Sequence, residues 1–171
     1  LRIQCLLPGL QLDDTWGLAN DIDDILEETL NLSHCEQRGY LTSCPTNVGT
    51  GLRASVMVHL PSLAMAKQVG KMVHAISQLG LAVRGYYGEG TEALGNLFQV
   101  SNQVTMGQTE EEMVKNLLTV TRQIVTQERS TREAAWKEDK AALEDKIYRA
   151  LGAMRHARMM TSQESLNNLS D

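Results

Sequence analysis

Short runs in which every second residue is apolar interrupt the first half of the chain, and these runs constrain its fold most. In the clearest of them, RASVMVHL at residues 53–60, alternate positions from Ala54 to Leu60 are apolar. Successive side chains of a β-strand point to opposite faces, so this pattern predicts a strand with one apolar face. Similar runs predict further strands at residues 1–6, 39–43, 81–88 and 96–107.

Longer segments with a helical period separate and follow these runs. Residues 13–32 carry apolar side chains every three or four positions, and a second such segment begins at Pro61 and ends at Gly80. From Thr109 onward the pattern is helical, with one apolar stripe from Val114 to Val125 and a second from Trp136 to Met154, which need not belong to one helix. A capping-box pattern at TSQE, residues 161–164, predicts a last helix. We therefore expect an α+β fold in which helices pack on one face of an antiparallel sheet.

Charge and cysteine content argue against several classes of protein. Sixteen Lys and Arg against 21 Asp and Glu leave a net charge of −5, which disfavours nucleic acid as a partner. No apolar run approaches the roughly 20 residues of a membrane span, and the first residues lack a secretory signal, so we expect a cytoplasmic protein. Three cysteines without CxxC spacing predict reduced thiols. Because Leu1 already stands in a strand-like run, we expect a piece of a larger protein.

Three arginines stand within predicted strands: Arg2 in LRIQC, Arg53 in GLRASV and Arg84 in AVRGYY. By alternation, each projects from the face opposite the Leu, Ile and Val side chains. If the strands share one sheet, the three guanidinium groups converge above it and can bind phosphate oxygens bidentately. The alternative is that they are ordinary outward-facing residues of a half-solvated sheet, and the pattern alone leaves both interpretations open.

Two loops carry further candidate residues. SCPTNVGTGLR at residues 43–53 is rich in small residues but lacks the GK[ST] ending of a P-loop. It contains Cys44, which is either a reactive loop thiol or a buried structural one. The second loop places Glu89 between Gly88 and Gly90, and flanking glycines suit a loop that covers a substrate. A merely solvated carboxylate is the alternative for Glu89.

Taken in order, YLTSCPTNVGTGLRASVMVHLP, VRGYYGEGTE and VSNQVTMGQTEEE resemble the C-terminal catalytic domain of the ATP:guanidino phosphotransferases, the phosphagen kinase family. The resemblance runs from residue 1 to about residue 130. Within the family, SNQVTMG and the helical continuation are most similar to the bacterial members that phosphorylate arginine in proteins. The resemblance implies a partial catalytic domain with a glutamine-synthetase-like sheet at residues 1–130. It implies a helical C-terminal extension, packed on or following that domain, at residues 131–171.

The resemblance also assigns the nucleotide site. Arg2, Arg53 and Arg84 match family arginines that contact the phosphates of ATP, with Mg²⁺ held mainly by the nucleotide. Met57 stands where family members often carry a histidine that packs against the purine, so the adenine contact departs from the family pattern. His59, two residues on and on the same predicted face, is either a substitute for that histidine or a surface residue.

The acceptor site is assigned in the same way. Glu89 matches the loop glutamate that engages the acceptor guanidinium, and Cys44 matches the reactive cysteine beside it. Thr46 lies in the same small loop. A guanidinium is protonated at neutral pH, so its nitrogen becomes nucleophilic only when a carboxylate orients it and takes its proton. Glu89 and Cys44 are therefore the candidate catalytic residues.

The resemblance implies an ATP-dependent kinase for arginine residues in proteins, acting in stress-response quality control with an activator protein and an unfoldase–protease system. It leaves a homo-oligomer open. The alternatives are a kinase for free arginine or another small guanidino compound, and a non-catalytic module that binds phosphate or phosphoarginine. The family's other phosphate-binding arginines, a second acceptor-binding glutamate and a small N-terminal domain would precede residue 1. We therefore expect this chain alone to be inactive.

Overall fold

The computed structural model describes residues 1–86 and 93–171, which form helices and short strands in an α+β arrangement. The helices are α1 (Leu12–Glu27), α2 (Pro61–Met65), α3 (Val69–Gln78), α4 (Glu110–Glu138), α5 (Lys140–His156) and α6 (Ser162–Ser170). The strands are β1 (His34–Cys35), β2 (Gly39–Tyr40), β3 (Ser55–His59), β4 (Leu81–Gly85) and β5 (Leu97–Asn102). The predicted fold class is confirmed.

The chain divides into two compact units. The first consists of Leu1–Val56 and Ser101–Val120, and the second consists of Met57–Val100 and Thr121–Asp171. The division falls within β3, β5 and α4, each of which contributes residues to both units.

The larger sheet has the strand order β3-β5-β4, and β1 and β2 form a separate antiparallel pair. Two backbone hydrogen bonds fix the direction of β3 against β5. The N–H of Leu60 donates to the carbonyl of Asn96 at 2.9 Å, and the N–H of Asn102 donates to the carbonyl of Ala54 at 3.2 Å. One partner number rises as the other falls, so the strands are antiparallel, as predicted.

Burial follows the predicted alternation in β3. Val58 is 7% exposed and the adjoining Leu60 is 1% exposed, whereas Met57 between the apolar positions is 48% exposed. The neighbouring strand β5 contributes Phe98 and Val100, both fully buried. One face of β3 therefore supplies the core and the other is exposed, whereas β5 also buries Ser101 on its opposite face.

The strand predicted at residues 1–6 is wrong. Residues 1–7 have no regular secondary structure, and Leu1 and Leu6 are 82% and 84% exposed. An alternating run favours extended backbone, but a strand also needs a neighbouring strand to pair its N–H and C=O groups. No strand in the described residues pairs with this segment.

The helix predicted from Pro61 to Gly80 is two helices. The chain breaks between α2 and α3 at Lys67, whose φ of +56° lies in the left-handed region. The apolar period continues across this break because Leu63 and Val69 on either side are both buried. A continuous stripe therefore did not require a continuous helix.

Capping residues begin the later helices where the sequence predicts them. Ahead of α4, the N–H of Thr109 donates to Glu112 Oε2 at 2.9 Å, and the N–H of Glu112 donates to Thr109 Oγ1 at 3.2 Å. Ahead of α6, Thr161 Oγ1 accepts from the N–H of Glu164 at 3.2 Å, so the predicted last helix is confirmed.

The two predicted C-terminal stripes differ in burial. In α4, Leu117, Thr121 and Ile124 are buried, as their period predicts. The second stripe is largely open, and its members Trp136 and Ile147 remain 43% and 39% exposed. Within the described ranges, no helix has both the length and the apolar character needed to cross a bilayer.

Candidate active site

Cys44 lies in a loop whose base is closed by Tyr40 and Gly49. The N–H of Tyr40 donates to the carbonyl of Gly49 at 2.7 Å, and the N–H of Gly49 donates back to Tyr40 at 3.2 Å. Gly49 has a φ of +114°, and a Cβ placed there would lie 2.1 Å from the carbonyl oxygen of Thr105. Only glycine fits this close approach, so the base of the loop is sterically defined.

Thr105 fixes the far side of the same loop. Its hydroxyl lies 3.0 Å from the carbonyl oxygen of Thr46 and 2.8 Å from that of Val48, and its own carbonyl accepts the N–H of Thr50 at 2.9 Å. The side chain is only 8% exposed. A buried hydroxyl that bonds loop carbonyls holds the loop in one conformation. The sequence pattern did not predict this contact of Thr105 with the loop.

The thiol of Cys44 is exposed and polarised by its neighbour. Its Sγ lies 3.0 Å from Thr46 Oγ1, and its backbone carbonyl accepts from Thr42 Oγ1 at 2.7 Å. Hydrogen bonds from the side chain and the backbone of Thr46 lower the pKa of Cys44 below its ordinary value. The alternative of a buried structural cysteine is therefore wrong, and the position suits a reactive thiolate.

The lowered pKa of Cys44 leads to a test on the loop itself. Thr46→Val removes the side-chain hydrogen bond to Sγ and keeps the backbone one, so the pH midpoint for alkylation of Cys44 should move upward. The rates would be followed across pH by mass spectrometry of the peptide that contains Cys44. Thr42→Val, whose hydroxyl bonds a carbonyl and not the sulfur, is the matched control. Equal midpoints in all three proteins would contradict the assigned cause.

The side chain of Asn102 forms hydrogen bonds to the backbone on both sides of Arg53. Asn102 Oδ1 accepts from the N–H of Ala54 at 2.8 Å, and Nδ2 donates to the carbonyl of Leu52 at 3.0 Å and to that of Val104 at 3.1 Å. The side chain is 7% exposed, so these bonds form away from water. The residues before and after Arg53 are thus held by one amide, and the arginine side chain extends from a fixed backbone.

The three candidate arginines are all exposed. Arg53 lies two residues before β3 in the first unit, and Arg84 lies in β4 in the second unit. Arg2 lies in the irregular segment at residues 1–7 and not in a strand, which corrects its predicted setting. Within the described residues, no carboxylate forms an ion pair with any of the three guanidinium groups. Their binding of an anionic ligand and their convergence stay predictions.

Met57 and His59 share the exposed face of β3, as predicted. Met57 is 48% exposed, which leaves its side chain available for contact with a flat ring. His59 Nε2 lies 3.0 Å from Ser170 Oγ in α6. Burial and the charge of Arg132 lower the pKa of His59, so the neutral ring predominates at neutral pH. Its interaction with α6 gives His59 a structural contact, and a place beside the nucleotide stays a prediction.

Glu89 lies outside the described residues. Next to the end of β4, the N–H of Tyr86 donates to the carbonyl of Leu97 in β5 at 2.8 Å. The N–H of Leu94 donates to the carbonyl of Tyr86 at 3.0 Å. Tyr86 and Leu94, the described residues on either side of this stretch, are therefore held next to each other in the second unit.

A groove of about 320 Å³ lies in the first unit, beside the β1–β2 pair and residues 105–110. None of the predicted site residues lines it. Across residues 1–86 and 93–171, no group of three or more His, Cys, Asp and Glu side chains could hold a metal ion.

Two family models match the chain. Residues 1–131 match the ATP:guanido phosphotransferase C-terminal catalytic domain, and residues 140–171 match the protein-arginine kinase McsB C-terminal domain. Among curated proteins, the chain is 60% identical to a protein-arginine kinase from Desulforamulus reducens and 54% identical to one from Bacillus subtilis. Both matches cover all of this chain, which spans about half the length of these relatives (48% and 47%).

Solved structures of guanidino kinases resemble the chain as well. A taurocyamine kinase from Schistosoma mansoni with bound transition-state-analogue components has a TM-score of 0.62 at 29% identity, over 72% of this chain and 17% of that one. A lombricine kinase has a TM-score of 0.56 at 29% identity, over 71% of this chain and 33% of that one.

Proposed function

Because the chain belongs to the ATP:guanido phosphotransferase family, we propose that it carries catalytic residues of an ATP-dependent kinase that phosphorylates the guanidinium of arginine residues in proteins. The observation that carries this proposal is the 60% identity, over all 171 residues, to a protein-arginine kinase. The match of residues 140–171 to the C-terminal domain of such a kinase supports it independently of the catalytic motifs.

Phosphate binding is the proposed task of Arg2, Arg53 and Arg84. The transferred phosphoryl group spreads negative charge over its three equatorial oxygens in the transition state. Exposed guanidinium groups without carboxylate partners among the described residues can stabilise that charge with forked hydrogen bonds. The hydrogen bonds of Asn102 to Leu52 and Ala54 then hold the backbone of Arg53 in place while the charge develops.

Acceptor activation is the proposed task of Glu89 and Cys44. Glu89 orients the protonated guanidinium and takes a proton from the attacking nitrogen, whose lone pair then bonds to the γ-phosphorus of ATP as ADP leaves. The thiol of Cys44, with its pKa lowered by Thr46, adds negative charge beside the cationic acceptor. Mg²⁺ neutralises nucleotide phosphates when bound, and we assign none of this chain's residues to it.

The remaining features of the proposal follow from the family. Residues 1–130 would be a partial catalytic domain and residues 131–171 its helical extension. The cellular role would be stress-response protein quality control in the cytoplasm, with an activator protein and an unfoldase–protease system as partners and with self-association open. The finer nucleotide contacts would involve Met57, and His59 would support that face from its contact with Ser170.

The experiment compares two acceptors for the full-length protein. With ATP and magnesium, an arginine-containing protein such as casein should be phosphorylated on arginine, and free arginine should be a much poorer acceptor. Residues 1–171 alone should show no measurable transfer, because phosphoryl transfer needs all of its aligning groups at once. Preference for free arginine would favour a small-molecule guanidino kinase. Binding of phosphoarginine without any turnover would favour a non-catalytic module.

A further inference from the structure

The helix α6 contacts the turn Leu94–Asn96, which joins the segment containing Glu89 to β5. Asn167 Oδ1 accepts the backbone N–H of Gly95 at 3.2 Å. Gly95 has a φ of +61°, and a Cβ there would lie 2.8 Å from the carbonyl oxygen of Leu166. The backbone of the turn therefore lies directly against the backbone of α6, and only glycine permits that approach.

A second residue of α6 extends this contact. Ser170, which is 7% exposed, accepts a hydrogen bond from Asn96 Nδ2 at 2.6 Å and lies 3.0 Å from His59 Nε2. A neutral imidazole can accept the serine proton while the serine oxygen accepts from the amide, so all three groups are satisfied together. The hydroxyl thus links the turn to the end of β3.

The chain end next to this link is held as well. The carboxylate of Asp171 lies 2.7 Å from Lys146 Nζ in α5. The last turn of α6 therefore has partners in the turn Leu94–Asn96, in β3 and in α5. Because β3 and α5 fix the position of α6, the helix can fix the position of the turn that it contacts.

We propose that α6 positions the turn Leu94–Asn96 for catalysis, so that Asn167 and Ser170 are positioning residues for phosphoryl transfer. Glu89 stands five residues before Leu94 in the sequence, so this turn is the first described element after the proposed catalytic carboxylate. Within the described residues, the buried N–H of Gly95 donates to the side chain of Asn167. Loss of the Asn167 side-chain amide therefore leaves this N–H without its acceptor and releases the turn. The inference rests on the proposed function, and it gives the C-terminal extension a task in the reaction.

The test uses the full-length protein and three variants. Asn167→Ala removes the acceptor for the N–H of Gly95, Asn167→Asp keeps an acceptor oxygen, and Gln163→Ala changes an exposed position of α6 as the control. For Asn167→Ala we expect kcat for arginine phosphorylation to fall by about tenfold with KM for ATP unchanged. Hydrogen exchange at residues 93–97 should become faster in the same variant. Asn167→Asp and the control should stay close to wild type in both measurements.

Two results would overturn the inference while the proposed function stands. One is an unchanged kcat in Asn167→Ala despite faster exchange at residues 93–97. The other is an equal loss in kcat and in ATP binding without rescue by Asn167→Asp, which would indicate general destabilisation. Ser170→Ala is a fourth variant, and it should show the same fall in kcat with KM for ATP unchanged. A wild-type protein that forms no phosphoarginine would instead contradict the proposed function together with the inference that rests on it.

Discussion

Replacing Arg53 by alanine in the full-length protein should lower kcat/KM for arginine phosphorylation by about 30- to 1,000-fold. This range corresponds to a loss of roughly 2–4 kcal/mol of transition-state stabilisation, which is typical when a preorganised charge is removed from an active site. The side chain of Arg53 is exposed, and the hydrogen bonds of Asn102 hold the backbone of the residues on either side. The alanine variant therefore loses the guanidinium group without a change to the core. Initial rates at saturating acceptor and varied ATP would measure the effect.

Two further variants make the Arg53 result specific. Arg53→Lys keeps the charge but lacks the planar fork, so it should recover only part of the activity. Arg122→Ala removes an exposed arginine of α4 to which no role is assigned, and it should leave the rate unchanged. Turnover by Arg53→Ala close to that of wild type at saturating ATP would show that Arg53 does not contact the transferred phosphate.

Asn102→Asp should produce the largest loss of stability that we expect from one polar substitution. The amide of Asn102 donates to the carbonyls of Leu52 and Val104, and a carboxylate would turn these bonds into contacts between oxygen atoms in a site that is 7% exposed. The N–H of Ala54 still donates to one oxygen, but a buried charge whose second oxygen lacks a donor, together with two orphaned carbonyls, should cost about 2–4 kcal/mol. Thermal unfolding of the full-length variant would show a Tm lower by several degrees.

The neighbouring residue offers a matched control for this change. Gln103→Glu adds the same charge one position along the chain, at an exposed side chain, and should leave Tm close to wild type. Asn102→Asp should also lower kcat/KM at temperatures where it remains folded, since the backbone on both sides of Arg53 is released. A normal Tm for Asn102→Asp would mean that the three hydrogen bonds of this amide do not hold the Arg53 segment.

Local pattern predicted the regular elements because their causes are local. Alternation in residues 53–60 reflects the two faces of β3, and the buried Val58 and exposed Met57 follow from it. Capping residues likewise predicted the start of α6 at Thr161. The errors arose where pairing or backbone conformation depends on distant groups: residues 1–7 lack a partner strand, and Lys67 interrupts a helix whose apolar stripe continues.

The candidate site shows the same difference between residues with local sequence signals and residues whose role depends on distant groups. Cys44 and Arg53 were identified from motifs, and the structure shows Cys44 exposed and Arg53 on a fixed backbone. Asn102 and Thr105 were missed as individual residues, because each bonds a backbone carbonyl that lies far earlier in the chain, by 50 residues for Asn102 and 59 for Thr105. Polar residues at the end of an apolar strand, as in SNQVT, were the available signal. Burial of such residues implies partners, but the sequence does not say which ones.

The phosphorus NMR spectrum of a protein substrate after incubation with the full-length protein, ATP and magnesium tests the central claim most directly. We expect a phosphoramidate signal that disappears in acid, because a P–N bond to arginine is acid-labile. Glu89→Gln keeps the size of the loop residue but removes its carboxylate, so the signal should form roughly 100-fold more slowly. A spectrum that contains only acid-stable phosphoserine or phosphothreonine, with no phosphoramidate at any time, would contradict the assignment of arginine as the acceptor.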